Sequence, residues 1–189
     1  HAHRIYALSE LIQSGNLYPR WVSYFHMGYG YPVFNFYAPG ATHIGTWIHL
    51  LGFDVVTAYH LTNALMWSVG SVGIYMLART FLPIRVALVA CVLWVYAPSR
   101  FYEFWWQGSL AQTVATSFIP FVFYGVIRTT RQPSLKNSLW IAFPLAAIIL
   151  SHTPTTYITA LFVAPFCFIT PLYHKAFREI IKRWFFIGI

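Results

Sequence analysis

Two stretches of this chain, Val55 to Ala78 and Phe104 to Ile127, each run for 24 residues without an Asp, Glu, Lys or Arg, and a third, Asn137 to His174, runs for 38. A helix crossing ~30 Å of hydrocarbon needs about 20 predominantly apolar residues. The first two stretches are each one crossing long, and the third is long enough for two, folded at the SHTPT turn of residues 151–155. A further uncharged run, Val86 to Ser99, reaches spanning length if Arg85 snorkels at one end. The expected fold is therefore an all-α integral membrane protein, a polytopic helix bundle of about five spans. The spans fall at about 55–78, 84–99, 104–127, 136–151 and 155–174, with a further one starting after 184. Composition agrees: 8% of residues are charged, against roughly 25% in soluble domains.

Charge placement gives the topology. With alternating spans, Arg79, Arg85, Arg128, Arg131, Lys136, Lys175, Arg178, Lys182 and Arg183 all fall on one side, while the opposite loops hold Asp54, Arg100, Glu103 and His152. That asymmetry makes the basic side cytoplasmic and residues 1–54 external. The Lys and Arg residues cap apolar runs and do not form a dense patch on a soluble face, which excludes nucleic acid as a partner and leaves membrane lipids. Cys91 and Cys167 lie inside apolar runs and read as packing residues.

The chain divides into an external loop, residues 1–54, and a transmembrane bundle, residues 55–189. Residues 5–14 place Ile5, Leu8, Leu11 and Ile12 on one helical face, with Gly15 as the stop, and residues 41–52 form a second helix too short to cross. Both suit an interfacial position. Between them, Gly15 to Gly40 is rich in aromatics, glycines and prolines and reads as a folded loop without helix or strand. Gly28, Gly30 and Gly40 imply tight turns that stack rings into a surface for a sugar or an isoprenoid tail. His1 at the start and RWFFIGI at the end read as cut ends, so the functional unit is expected to be longer.

Ionisable groups in or near a bilayer are costly, which makes them candidates for function. They form small sets here: His1, His3 and Arg4; Arg20; Arg100, Glu103, Gln107 and Gln112; and His152 beside Thr153 and Thr155. Glu103 and Gln107 would share a helical face at i and i+4. The His-x-His pair lacks a neighbouring carboxylate, so no metal ligand set is assigned.

The motifs H-x-x-R (1–4), LYPRW (17–21), GYGYPVFNFYAP (28–39), YAPSRFYEFWWQGSLAQTVA (96–115) and SHTPT (151–155) together resemble a prokaryotic family. It is described as 6-pyruvoyl-tetrahydropterin synthase-related, membrane domain. The arrangement is also similar to the GT-C superfamily of polytopic glycosyltransferases, in which a long first external loop carries interfacial helices. Where the family pattern reads Arg-Gly-x-x-x-Glu, this chain has Gln107, Gly108 and Gln112; Arg100 and Glu103 match a basic and an acidic position. The resemblance implies transfer of a sugar from a polyprenyl-phosphate donor to an acceptor on the external face of a prokaryotic plasma membrane. An acidic residue upstream of His1 would be the base and Glu103 a second catalytic acid. Arg4, Arg20 and Arg100 would hold the phosphate, His3 and His152 would support them, and Tyr29, Tyr31, Phe34 and Phe36 would line the groove. No cofactor is evident, and a divalent metal is left open. The alternative, from another class, is a non-catalytic membrane protein that binds or transports a lipid-linked glycan.

Overall fold

A computed structural model describes residues 1–172. The expectations for Lys175, Arg178, Lys182 and Arg183, for the last residues of the 155–174 span and for the span after 184 lie outside the described residues. Within them every named element is helical. In chain order these are α1 (Ala2–Gln13), α2 (Val33–Phe36), α3 (Gly40–Leu50), α4 (Val55–Ala78), α5 (Ile84–Val95), α6 (Pro98–Phe101), a one-turn π-helix (Tyr102–Trp106), α7 (Leu110–Arg131), α8 (Leu135–Ile149) and α9 (Thr153–Leu172).

Four stretches are long and apolar enough to cross a membrane: Val55–Ala78, Ile84–Trp106, Leu110–Arg131 and Thr153–Thr170. The 15-residue helix Leu135–Ile149 is apolar but shorter. The two largest departures from the sequence reading are at boundaries. The second span does not end in a loop at 96–103; it bends at Ala97, where Pro98 opens a new turn, and runs on as helix to Trp106. The third span begins at Leu110 and not at 104, because Gly108 takes a left-handed φ of +58° and Ser109 donates its N–H to the Glu103 carbonyl at 3.0 Å.

The bundle is organised around α7, against which α3, α4, α8 and α9 all pack. Association of helices in lipid depends on close packing, which small residues permit. A Cβ on Gly125 of α7 would sit 2.5 Å from the Trp140 carbonyl oxygen of α8, and one on Gly73 of α4 would meet the Phe121 ring of α7 at 2.7 Å. These contacts bring the backbones together where larger residues would hold them apart.

The N-terminal segment shares this core. Ile5 of α1 and Ala41 of α3 are buried with Met66, Leu110, Ala111 and Val114, and Thr46 donates to the Ile5 carbonyl at 3.3 Å. The expected stop at Gly15 is a Schellman cap: Gly15 (φ +92°) donates to the Ile12 carbonyl and Asn16 to that of Leu11. Residues 33–36, read as irregular from sequence, make one helical turn that buries Val33 and Phe34 against Ala7, Leu8 and Val22.

Asp54 caps α4, accepting from the backbone N–H groups of Val56 and Thr57 at 3.0 Å each. The side-chain hydrogen bond with Thr57, and then these backbone bonds, hold its carboxyl below the ordinary value. A depressed carboxylate contributes stability above its unfolded pKa of about 3.9, and that contribution is lost as pH falls through the lower folded value. Asp54→Ala is therefore expected to lower the melting temperature at pH 7, with a smaller gap from wild type at pH 3. An equal gap at both pH values would rule the charged cap out as its source.

Candidate functional site

The candidate residues fall into three places. The first lies inside the bundle. The wide turn of the π-helix directs Glu103 towards α7, where its Oε2 accepts from Arg100 Nη1 at 2.9 Å and its Oε1 accepts from Gln112 Nε2 at 3.2 Å. Arg100 Nη1 also donates to Thr116 Oγ1 at 2.6 Å, and its guanidinium lies over the Trp94 ring at 4.0 Å. Arg100 and Glu103 are 6% and 5% exposed, so this is a sealed ion pair. The shared helical face expected for Glu103 and Gln107 from i,i+4 spacing does not form, Glu103 being buried and Gln107 exposed. A π-turn has more residues per turn than an α-helix, and Gln107, its N–H bonded to the Tyr102 carbonyl, is left exposed.

Gln112 replaces it as the partner of Glu103, and Thr116 joins through Arg100. Sequence reading gave Thr116 no role, although Gln112, Thr113, Thr116 and Ser117 form a polar stripe at helical spacing inside an apolar span. The neighbourhood is rich in buried polar atoms without a hydrogen-bond partner among the described residues: Arg100 Nε, Thr113 Oγ1, Trp94 Nε1, Trp67 Nε1 and Asn63 Oδ1.

The second place is where α3 meets the α8–α9 turn. The Gly40 N–H donates to the Leu150 carbonyl at 2.7 Å. A Cβ on Gly40 would sit 2.5 Å from that oxygen, so glycine is needed here for close approach. In the chain just before Gly40 stands Tyr37, over whose ring the half-buried Arg4 lays its guanidinium at 3.9 Å. In the chain just after Leu150, His152 is held by Thr155, whose Oγ1 is 2.7 Å from Nδ1 and whose backbone N–H donates to the same nitrogen at 3.4 Å. With Nδ1 accepting, the ring proton resides on Nε2. Burial pushes the pKa of His152 below the ordinary histidine value, which keeps the ring neutral at pH 7. Burial does the same to His43, half-buried near the start of α3, which sequence reading passed over.

The third place is the aromatic loop. Four residues in a run of five, His26, Met27, Gly28 and Gly30, have φ between +53° and +90°. This coiling is closed by an antiparallel bridge between Val22 and Tyr31. It presents Met27, Tyr29 and Phe36 to the surroundings, Tyr29 being 87% and Phe36 70% exposed. Tyr31 is half-buried between His26 and Phe36, stacked on the latter at 6.2 Å. Phe34, expected with them, points the other way and is 6% exposed in the core. Its one-turn helix puts residues 34 and 36 on different faces. His3 and Arg20 are exposed, Arg20 lying 6.0 Å from the Tyr18 ring. Among the described residues no group of three or more His, Cys, Asp or Glu side chains could hold a metal ion.

A family model described as 6-pyruvoyl-tetrahydropterin synthase related domain, membrane protein, matches residues 34–189. An uncharacterized protein of Lactococcus lactis subsp. cremoris (strain MG1363) is 24% identical over 169 residues, which is 85% of this chain and 27% of the relative. The chain thus spans about a quarter of that relative's length. No solved structure matches.

Proposed function

We propose that this chain, which belongs to the 6-pyruvoyl-tetrahydropterin synthase related family of membrane proteins, is part of a GT-C-like glycosyltransferase that takes a sugar from a polyprenyl-phosphate donor. The observation that carries the reading is the junction at Gly40 and Leu150. It joins the Arg4–Tyr37 pair and the neutral His152 through one short segment, beside a loop whose aromatic rings are open to their surroundings. A cation and an N–H donor suit a lipid phosphate, and exposed rings suit a sugar or an isoprenoid chain. Arg4 and Arg20 would hold the phosphate, His152 would donate from Nε2, His3 would support them, and Tyr29, Tyr31 and Phe36 would line the groove.

The basic residues Arg79, Arg85, Arg128, Arg131 and Lys136 follow α4, open α5, close α7 and open α8, at the opposite end of the bundle from Asp54 and His152. Under the positive-inside rule this supports an external position for residues 1–54, taken here as one functional unit on a prokaryotic plasma membrane.

Glu103 decides between transfer and binding alone. Both its oxygens are engaged, so action as an acid or base requires exchange of the Gln112 or Arg100 bond. In the transfer reading Arg100 and Glu103 form a charged pair that opens on substrate entry. In the alternative reading, favoured by the sealed geometry, the pair is structural and the protein binds or moves a lipid-linked glycan without chemistry.

The test offers labelled polyprenyl-phosphate sugars to the full-length protein in liposomes, following both binding and transfer. A charge-assisted hydrogen bond contributes about 1.5–3 kcal/mol, so Arg4→Gln is expected to weaken donor binding by roughly 10- to 100-fold. Binding that Arg4→Gln weakens, with no transfer from any donor, would select the binding reading. Neither binding nor transfer would sink both.

A further inference from the structure

Towards the end of the bundle opposite the Gly40–Leu150 junction, two cavities of unlike chemistry lie along α7, one between α7 and α8 and the other between α7 and the turn that follows α4. One is an apolar groove of about 450 Å³ lined by Phe118 and Phe121 of α7 and by Leu139, Trp140 and Phe143 of α8, with Lys136 also lining it. The other, of about 210 Å³, is lined by Thr80, Tyr124, Arg128, Arg131 and Gln132 among others. They share a wall. Tyr124 lines the polar cavity, Trp140 lines the groove, and the two rings meet edge-on at 5.6 Å. Phe121 stacks on Trp140 at 6.5 Å and 16°, so the two rings form one face of the groove.

The polar cavity is organised in advance. Arg128 donates through Nε to Asn137 Oδ1 and through Nη1 to the Tyr124 hydroxyl, both at 2.7 Å, and Asn137 in turn donates to the Gln132 carbonyl at 2.6 Å. These bonds fix the guanidinium plane using two of its five donors, leaving the others for a ligand. Arg131 is exposed, 5.8 Å from the Phe81 ring, and Lys136 is exposed one helical start further on. All three acidic side chains of the described residues, Glu10, Asp54 and Glu103, lie elsewhere. Among the described residues, therefore, no carboxylate lies beside this mouth to compensate its positive field.

We propose that this face binds one anionic phospholipid. Its phosphodiester sits among Arg128, Arg131 and Lys136, and one acyl chain lies in the groove between Phe118 and Phe143. Basic pockets between membrane helices select anionic headgroups because several cations act on one phosphate with lipid on the remaining side. A neutral-charge lipid would fill the groove equally well but would gain little from the cavity. The site uses none of the residues assigned to sugar transfer and stands apart from that reading.

Arg128 holds Asn137 and is a poor probe, so the test uses exposed positions. Native mass spectrometry of the full-length protein would compare phosphatidylglycerol with phosphatidylcholine of the same chains. Phosphatidylglycerol is expected to bind about tenfold more tightly. Arg131→Gln with Lys136→Gln is expected to abolish most of that preference while leaving the melting temperature unchanged. Leu139→Trp, which fills the groove, is expected to reduce binding of both lipids. Equal affinity for the two lipids in the wild type would overturn the proposal, as would selectivity that survives loss of both cations. Competition by millimolar inorganic phosphate as effective as that by lipid would also overturn it, reducing the site to a small-anion pocket.

Discussion

Glu103→Leu is expected to destabilise the protein by about 3–5 kcal/mol, the usual cost of breaking a buried ion pair by removing one partner. The Arg100 guanidinium would keep its Thr116 bond and its place over Trp94 but would lose its counter-charge, and Arg100 Nε already has no partner among the described residues. Removing the charge as well should restore most of the loss, because an apolar pair of similar volume avoids desolvation altogether. The double variant Arg100→Met/Glu103→Leu is thus expected to melt far closer to wild type than Glu103→Leu does. Thermal unfolding of the purified variants in one detergent, followed by intrinsic fluorescence, reads this directly. A single variant within a few tenths of a kcal/mol of wild type would mean that the pair is wet and the site open. That result would move Glu103 back towards a chemical role.

Gly125→Ala should cost at the upper end of the about 1–3 kcal/mol typical of overpacking. The added methyl would lie 2.5 Å from the Trp140 carbonyl oxygen and 2.6 Å from its carbon, and backbone atoms of a helix cannot rotate away as a side chain can. α7 and α8 must separate, and the Phe121–Trp140 stack goes with them. Gly28→Ala is the control: nothing lies within 4 Å of its would-be Cβ, so only the strain of φ +90° is added. If the Gly125 variant melts no lower than the Gly28 variant, the close approach of α7 and α8 is wrong.

These two sites also mark the limit of what was legible in the sequence. The bounds of α4 could be read to the residue because Asp54 and Arg79 punctuate them. The start of α7 could not, since Trp105 and Trp106 look like membrane residues by composition, and the break comes from the φ of Gly108. Arg100, Glu103, Gln107 and Gln112 are recognisable in the sequence as one polar group; that Glu103 is sealed against Arg100 and Gln112 and not beside Gln107 depends on a π-turn that local spacing does not reveal. Phe34 and Phe36 stand in the same motif, yet one packs inward and the other is exposed, because four residues curl into a single turn. Gly125 gives no signal at all, as a glycine in an apolar run carries no mark of the backbone it must approach.

The bond from Gly40 to Leu150 has a consequence for how the protein is made. The partner of residue 40 emerges from the ribosome 110 residues later, and the core around Ile5 waits for Val114. At about 5–20 residues per second, the N-terminal segment spends roughly 5–20 s with its apolar face uncovered while the later helices are inserted. Residues made before the helices they pack against are thus among the last of the described residues to be fully packed. Until then the aromatic loop of the N-terminal segment stays open to insertion factors, chaperones and proteases.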